Sequence, residues 1–200
     1  MTPEQRLQEI LDQAKQKDIE KAERKTLEND LYNIYRSINT LASIITDNIR
    51  NLLFTELDNF LLPQGWISEP LHENGRDYNL DLKNICITPL ENISTRKEGF
   101  LVSHNLFENK KYRIEVTFKD SNINEKLTKA TQGLIIRNNT DNNELFLLLS
   151  NLQSIQNDLN LLYQTMDVEM LEIDIVKIGQ KHYINQSNFI EALLGILENK

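Results

Sequence analysis

The feature that most constrains this chain is the stretch between Pro3 and Pro63, which contains neither glycine nor proline. Thr2 and Gln5 form a capping-box pattern, and Pro3 suits the first turn of a helix. The sequence therefore predicts one long helix across residues 3–61. At a rise of about 1.5 Å per residue it reaches roughly 90 Å. A domain of this size cannot cover such a rod, so part of the helix is expected to project or to fold back.

The predicted helix has two parts of different character. Residues 12–26 are densely charged, which is typical of a solvated helix. From residue 27 onward, apolar side chains recur at alternating steps of four and three, which is a heptad pattern. Its members are Leu27, Leu31, Ile34, Ile38, Leu41, Ile45, Asn48 and Leu52. Two interpretations stay open. These residues are either the interface of an intermolecular coiled coil, with a homodimer as the expected product, or a stripe on the chain's own core.

The rest of the chain alternates between strand and helix patterns in separate blocks. Residues 78–88 read as one strand with a bulge near Asn84, and residues 113–119 as a half-buried strand with one wet face. Helical periodicity returns from residue 122 and again at 145–166, followed by a strand at 171–175 and a short C-terminal helix. Separated blocks favour an α+β fold with a small antiparallel sheet flanked by helices. We divide the chain into a helical arm, 1–62, and a head domain, 63–200.

Charge and cysteine content narrow the class of protein. The chain has 22 basic and 30 acidic residues, a net charge of −8, which disfavours nucleic acid as a partner. Cys86 is the sole cysteine, the amino terminus is polar, and no apolar run approaches a membrane span. These features predict a cytoplasmic protein without a membrane partner. The three histidines are scattered and lack a cysteine neighbour, so neither a metal nor a cofactor is expected.

One short pattern offers an enzymatic alternative. On the predicted strand, Asp81 and Lys83 project from the same face, with Asp77 and Glu69 upstream. Carboxylates beside a lysine can hold Mg²⁺ and position a water for attack on a phosphodiester. The Asp81-Leu82-Lys83 triplet, and the α-β-β-β-α-β order over roughly residues 40–180, resemble the PD-(D/E)xK nucleases. The family's Pro-Asp element is missing, because Glu69-Pro70 has the reverse order and the other acid.

The leading prediction is a non-enzymatic interaction or assembly module that self-associates, or docks on a partner, through its N-terminal helix. The first alternative is a Mg²⁺-dependent nuclease that uses Asp77, Asp81 and Lys83. The second is a small acidic chaperone or immunity-type binder that masks a basic partner by charge.

Overall fold

The structure is a computed structural model that describes residues 2–71, 75–90, 98–104, 111–137, 139–177, 183–186 and 188–198. The chain begins with helix α1, and all later elements follow in separate blocks, which confirms the α+β class. In chain order the elements are α1 (Pro3–Leu61), β1 (Ile67–Pro70), β2 (Arg76–Leu80), β3 (Lys83–Leu90), β4 (Glu98–His104), β5 (Lys111–Phe118), α2 (Ser121–Thr131), α3 (Asn142–Thr165), β6 (Leu171–Lys177), β7 (Tyr183–Gln186) and α4 (Phe189–Glu198).

Helix α1 confirms the predicted single helix at both ends. The hydroxyl of Thr2 accepts a hydrogen bond from the backbone N–H of Gln5 at 3.3 Å, and the Gln5 side chain accepts one from the Thr2 N–H at 2.8 Å. These reciprocal bonds satisfy donors that the first helical turn leaves unpaired. A 3-10 turn at Leu62–Gln64 follows the helix, and Gly65 then adopts a φ of 90°, a left-handed conformation that glycine accepts without strain.

The seven described strands form one antiparallel meander in the order β1-β2-β3-β4-β5-β6-β7. Helices α2 and α3 form the connection between β5 and β6, so they reach the sheet without interrupting its order. Side chains alternate between the two faces, as strand geometry requires. The helix-covered face contributes the buried residues Tyr78, Ile85, Ile87, Phe100, Val102, Tyr112, Ile114, Val116, Phe118, Leu171, Ile173 and Ile175. The opposite face is half-buried and mostly polar, which matches the predicted wet face.

The single strand predicted across residues 78–88 is wrong, because the chain reverses at Asp81 and Leu82. Strand β2 ends at Leu80, which pairs directly with Lys83 at the start of β3. Asp81 has a φ of 53°, in the left-handed region that Asp tolerates better than most residues. The predicted bulge near Asn84 is therefore a hairpin turn three residues earlier. The short strand β7 had no counterpart in the sequence-based assignment.

Helices α1 and α3 run side by side in the same direction. Near one end, the Arg24 guanidinium donates to the backbone carbonyl of Thr140 at 2.5 Å. Further along both helices, the Gln156 amide donates to the Ser37 hydroxyl at 2.7 Å. The residue number rises in both helices from the first bond to the second, so the pair is parallel. Parallel helices bring heptad positions of one against those of the other.

This pairing places the predicted heptad seam inside the chain's own core. Leu31, Ile38 and Ile45 have no solvent-exposed surface. The alternate members Leu27, Ile34 and Leu41 are partly buried against the same core, and Asn48 and Leu52 are half-buried. These positions therefore fit the second interpretation of the seam, a stripe that packs on the chain's own core. The buried stripe continues from Leu31 to Leu61 and belongs to one core with the sheet, so the arm and head of the sequence-based division share their interior.

The carboxyl-terminal part of α1 is fixed to the sheet by aromatic and polar contacts. Phe54 meets Phe100 edge to face, with ring centroids 5.8 Å apart, and the Arg76 guanidinium lies 5.8 Å from the centre of the Phe54 ring. The Tyr78 hydroxyl, buried on β2, donates to the Asp58 carboxylate at 2.8 Å. Burial raises the pKa of Tyr78, and the neighbouring Asp58 carboxylate raises it further. The neutral phenol is therefore the form that fits this interface.

Replacing a buried seam residue should unfold the chain instead of releasing a folded monomer. Ile45→Glu places an unpaired carboxylate where no solvent reaches, and we expect a loss of more than about 4 kcal/mol in the free energy of unfolding. Ile44→Glu is the matched control, because Ile44 is 41% exposed and should lose no more than about 1 kcal/mol. Urea denaturation followed by circular dichroism measures both. A folded, stable Ile45→Glu protein would contradict the core assignment.

The Tyr78 contact predicts a loss of stability in alkali. Because the folded-state pKa is raised, the contribution of Tyr78 is fully present below the unfolded-state value of about 10 and is lost as the pH rises above it. We expect Tyr78→Phe to lower the free energy of unfolding by about 1 kcal/mol at pH 8. Between pH 8 and 10.5 the free energy of unfolding should then fall less in this variant than in the wild type. Urea unfolding at the two pH values tests this. Tyr32→Phe, at an exposed tyrosine, should leave the wild-type dependence unchanged.

Candidate functional sites

The residues of the nuclease alternative lie around the β2–β3 hairpin. Asp77 points to the open face of the sheet, and its carboxylate accepts hydrogen bonds from the side-chain amides of Asn84 and, at 3.4 Å, Asn79. Asn84 also donates to the Asn79 carbonyl oxygen at 3.0 Å. Glu69 on β1 is the register partner of Asp77. The Asp77 carboxylate is thus engaged in one hydrogen bond across the hairpin, from Asn84 on β3, and one along β2, from Asn79.

Asp81 and Lys83 do not share a strand face in the structure. Asp81 occupies the exposed turn, and Lys83 is the exposed first residue of β3. The predicted pairing of Asp81 with Lys83 required both residues to lie on one continuous strand. The turn at Asp81 and Leu82 interrupts that strand. Among the described residues, no group of three or more His, Cys, Asp or Glu side chains could hold a metal ion. His72 and His182, two of the three scattered histidines, lie outside the described residues.

The predicted interface residues are occupied by contacts within the chain. The five with the greatest expected contribution to an intermolecular seam, Leu31, Ile34, Ile38, Leu41 and Ile45, are buried or packed against the core. An apolar side chain contributes to binding only if the partner removes further apolar area from water. In this fold the seam residues have little solvent-exposed apolar area that a partner could bury.

The exposed surface of α1 lies nearer the amino terminus, in a segment that we call the projecting segment, Pro3–Glu23. Every residue of this segment is exposed, and burial begins at Arg24. Leu7, Ile10 and Leu11 are 59%, 61% and 47% exposed, respectively. Together with Ala14 they occupy positions i, i+3, i+4 and i+7, which form one stripe on a helix. We call these four residues the apolar stripe.

The sequence contains the signal for the apolar stripe, but the heptad seam obscured it. Extending the seam toward the amino terminus from Leu27 and Leu31 reaches Glu20 and Arg24, then Gln13 and Lys17, and then Arg6 and Ile10, of which only Ile10 is apolar. The extended seam therefore meets the apolar stripe at Ile10 alone and gives no signal for Leu7, Leu11 or Ala14. A separate test of i, i+3, i+4 and i+7 spacing over residues 7–14 finds it.

The base of the projecting segment is fixed to the α2–α3 connection. Arg24 donates to the carbonyl oxygens of Thr140 and Arg137, at 2.5 and 3.3 Å, and pairs with Glu28 at 2.8 Å. At the start of α3, the Asn142 side chain donates to the Glu20 carbonyl at 3.5 Å. These bonds lie where α1 leaves the head, so the segment continues the packed part of the helix without a break.

A small groove lies between α2, α3 and a 3-10 turn, Val168–Met170, that precedes β6. Its volume is about 210 Å³, below the roughly 300–1,000 Å³ typical of small-molecule sites. Lys126 and Asp158 line it and form an ion pair of 2.7 Å with each other. Because these two charges neutralise one another, the groove offers no free charge for selecting a ligand.

Comparison with protein-family models, with curated proteins and with solved structures gives no match for this chain. Within the described ranges, none of the helices combines the length and the apolar character that crossing a membrane requires.

The position of Asp81 predicts a backbone role for this residue. Asp81→Gly should retain the wild-type stability or raise it by up to about 1 kcal/mol, because glycine adopts a positive φ without steric cost. Asp81→Val should lower it by about 1 kcal/mol, because a β-branched residue is strained there. Chemical denaturation gives both values. Mg²⁺-dependent cleavage of DNA or RNA that disappears in Asp81→Gly would contradict this role and support the nuclease alternative.

Proposed function

We propose that this protein is an interaction module that docks on another protein chain through the projecting segment of α1. The observation that carries the proposal is the apolar stripe, which is exposed on a helix that extends beyond the domain. Large apolar side chains grouped on one exposed face mark interaction surfaces, because their area is otherwise left in contact with water. The compact α+β part would hold the segment in place.

Two physical arguments support docking through this segment over the alternatives. First, an isolated helix in water is marginally stable, and a partner that covers the stripe would stabilise its two amino-terminal turns. Second, helix recognition commonly uses anchors at i, i+3, i+4 and i+7, which is the spacing of the stripe. The nuclease alternative lacks a comparable argument, because Asp81 lies in the hairpin turn and shares no strand face with Lys83.

Site-specific photo-crosslinking of the full chain in its source cells tests the proposal. A photoreactive residue at position 11 should yield a discrete crosslinked protein, whose mass tells a second copy from a different chain. The same residue at position 13, on another side of the helix, should yield little. Adding Leu7→Glu should reduce the position-11 product at least about tenfold, because burying a charge removes an anchor worth roughly 1.5–3 kcal/mol.

The control for Leu7→Glu is Gln16→Glu, which adds a carboxylate to the same exposed helix away from the stripe. It should leave the crosslinked product unchanged. Equal products from positions 11 and 13, or a product that survives Leu7→Glu, would contradict docking through the stripe.

A further inference from the structure

The charges of the projecting segment are divided between two sides of the helix. With about 100° of rotation per residue, each position can be assigned to the half of the helix that carries the apolar stripe or to the opposite half. The half centred on Leu7, which carries the stripe, contains three of the segment's four bases, Lys15, Lys17 and Lys21, and Arg6 lies just beyond its edge, about 100° from Leu7. Apart from Arg6 at its edge, the charged residues of the opposite half are four acids: Glu9, Asp12, Glu20 and Glu23. Glu4 and Asp18 are the two carboxylates on the stripe's half.

Resting on the proposed function, we infer that the partner is a protein with an apolar groove bordered by carboxylates. The apolar stripe would enter the groove, and the flanking bases would face its acidic border. Lys15 and Lys17 lie roughly 80° to either side of Leu7, so their long side chains can reach both borders of one groove. The acidic opposite half of the helix would face solvent, away from the partner's carboxylates.

An anionic membrane is the other surface that takes a basic, amphipathic helix. The charge of the whole chain argues for a protein instead. Most of the net charge of −8 lies outside the projecting segment, so a negatively charged bilayer would repel the domain that the segment carries. A groove on a protein is local and can contact the segment alone.

A second copy of this chain fits the segment less well. Pairing two segments face to face would place the bases that flank one stripe near those that flank the other, and these like charges would repel each other. Only four side chains on each segment form the stripe, and Ala14 is small. Stable interfaces bury about 800 Å² per partner, which a groove around the helix achieves more readily than a second narrow stripe.

A pair of charge-matched variants tests the inference, with the position-11 crosslink as the readout. Lys15→Gln with Lys17→Gln lowers the net charge by two on the stripe's half. Gln13→Glu with Gln16→Glu lowers it by two outside that half. We expect the first double variant to reduce the crosslinked product about fivefold, and the second to leave it within about twofold of wild type. Crosslinks mapped by mass spectrometry should lie beside Asp or Glu residues of the captured protein.

The outcomes separate this inference from the proposed function. If both double variants retain the product while Leu7→Glu abolishes it, docking through the stripe stands and the acidic partner is wrong. A product with twice the mass of the chain would show pairing with a second copy and would also overturn the inference. Vesicle binding is the third outcome. If the wild-type chain binds vesicles with about 30% phosphatidylserine, and the Lys15→Gln with Lys17→Gln variant does not, the inference is also overturned. Loss of the position-11 product from every chain, wild type included, would reject the proposed function itself.

Discussion

Burial of one side of α1 connects parts of the chain that would not be stable separately. A helix of 59 residues gains little stability from its backbone alone and depends on tertiary packing. From Leu31 to Leu61 that packing comes from α3 and from the covered face of the sheet. The sheet in turn needs α1, because a single antiparallel layer leaves its apolar face in water unless helices cover it. The domain therefore has one core, to which the first third of the chain contributes a large share.

The local signals of the sequence located the helices well. The capping box at Thr2 and Gln5 and the absence of glycine and proline predicted α1 within a residue at each end, because both act over one or two turns. The heptad pattern also identified the side of α1 that packs against the core. It could not identify what buries that side, because a helix of another molecule and α3 of the same chain present similar apolar ridges. That choice depends on contacts between residues far apart in sequence.

Strand boundaries and the candidate site were harder to predict for a different reason. Asp81 permits a tight reversal, but it carries no glycine beside it to mark the turn, and the apolar residues on both sides continue the strand pattern. The predicted acid–lysine pair depended on that error. In contrast, the apolar stripe at Leu7–Ala14 follows a simple spacing and could have been found. Its exposure follows only from the fold, which shows where the head ceases to cover α1.

The parallel pairing of α1 with α3 also determines the order in which the core can form during synthesis. Gln156 and Ser37, which join the two helices, are 119 residues apart. At roughly 5–20 residues per second, a ribosome adds this length in about 6–24 s. During that interval the apolar side of α1 has been made and the helix that covers it has not. The part of α1 that packs on α3 thus lacks its native partner for seconds, far longer than the microseconds in which a helix forms.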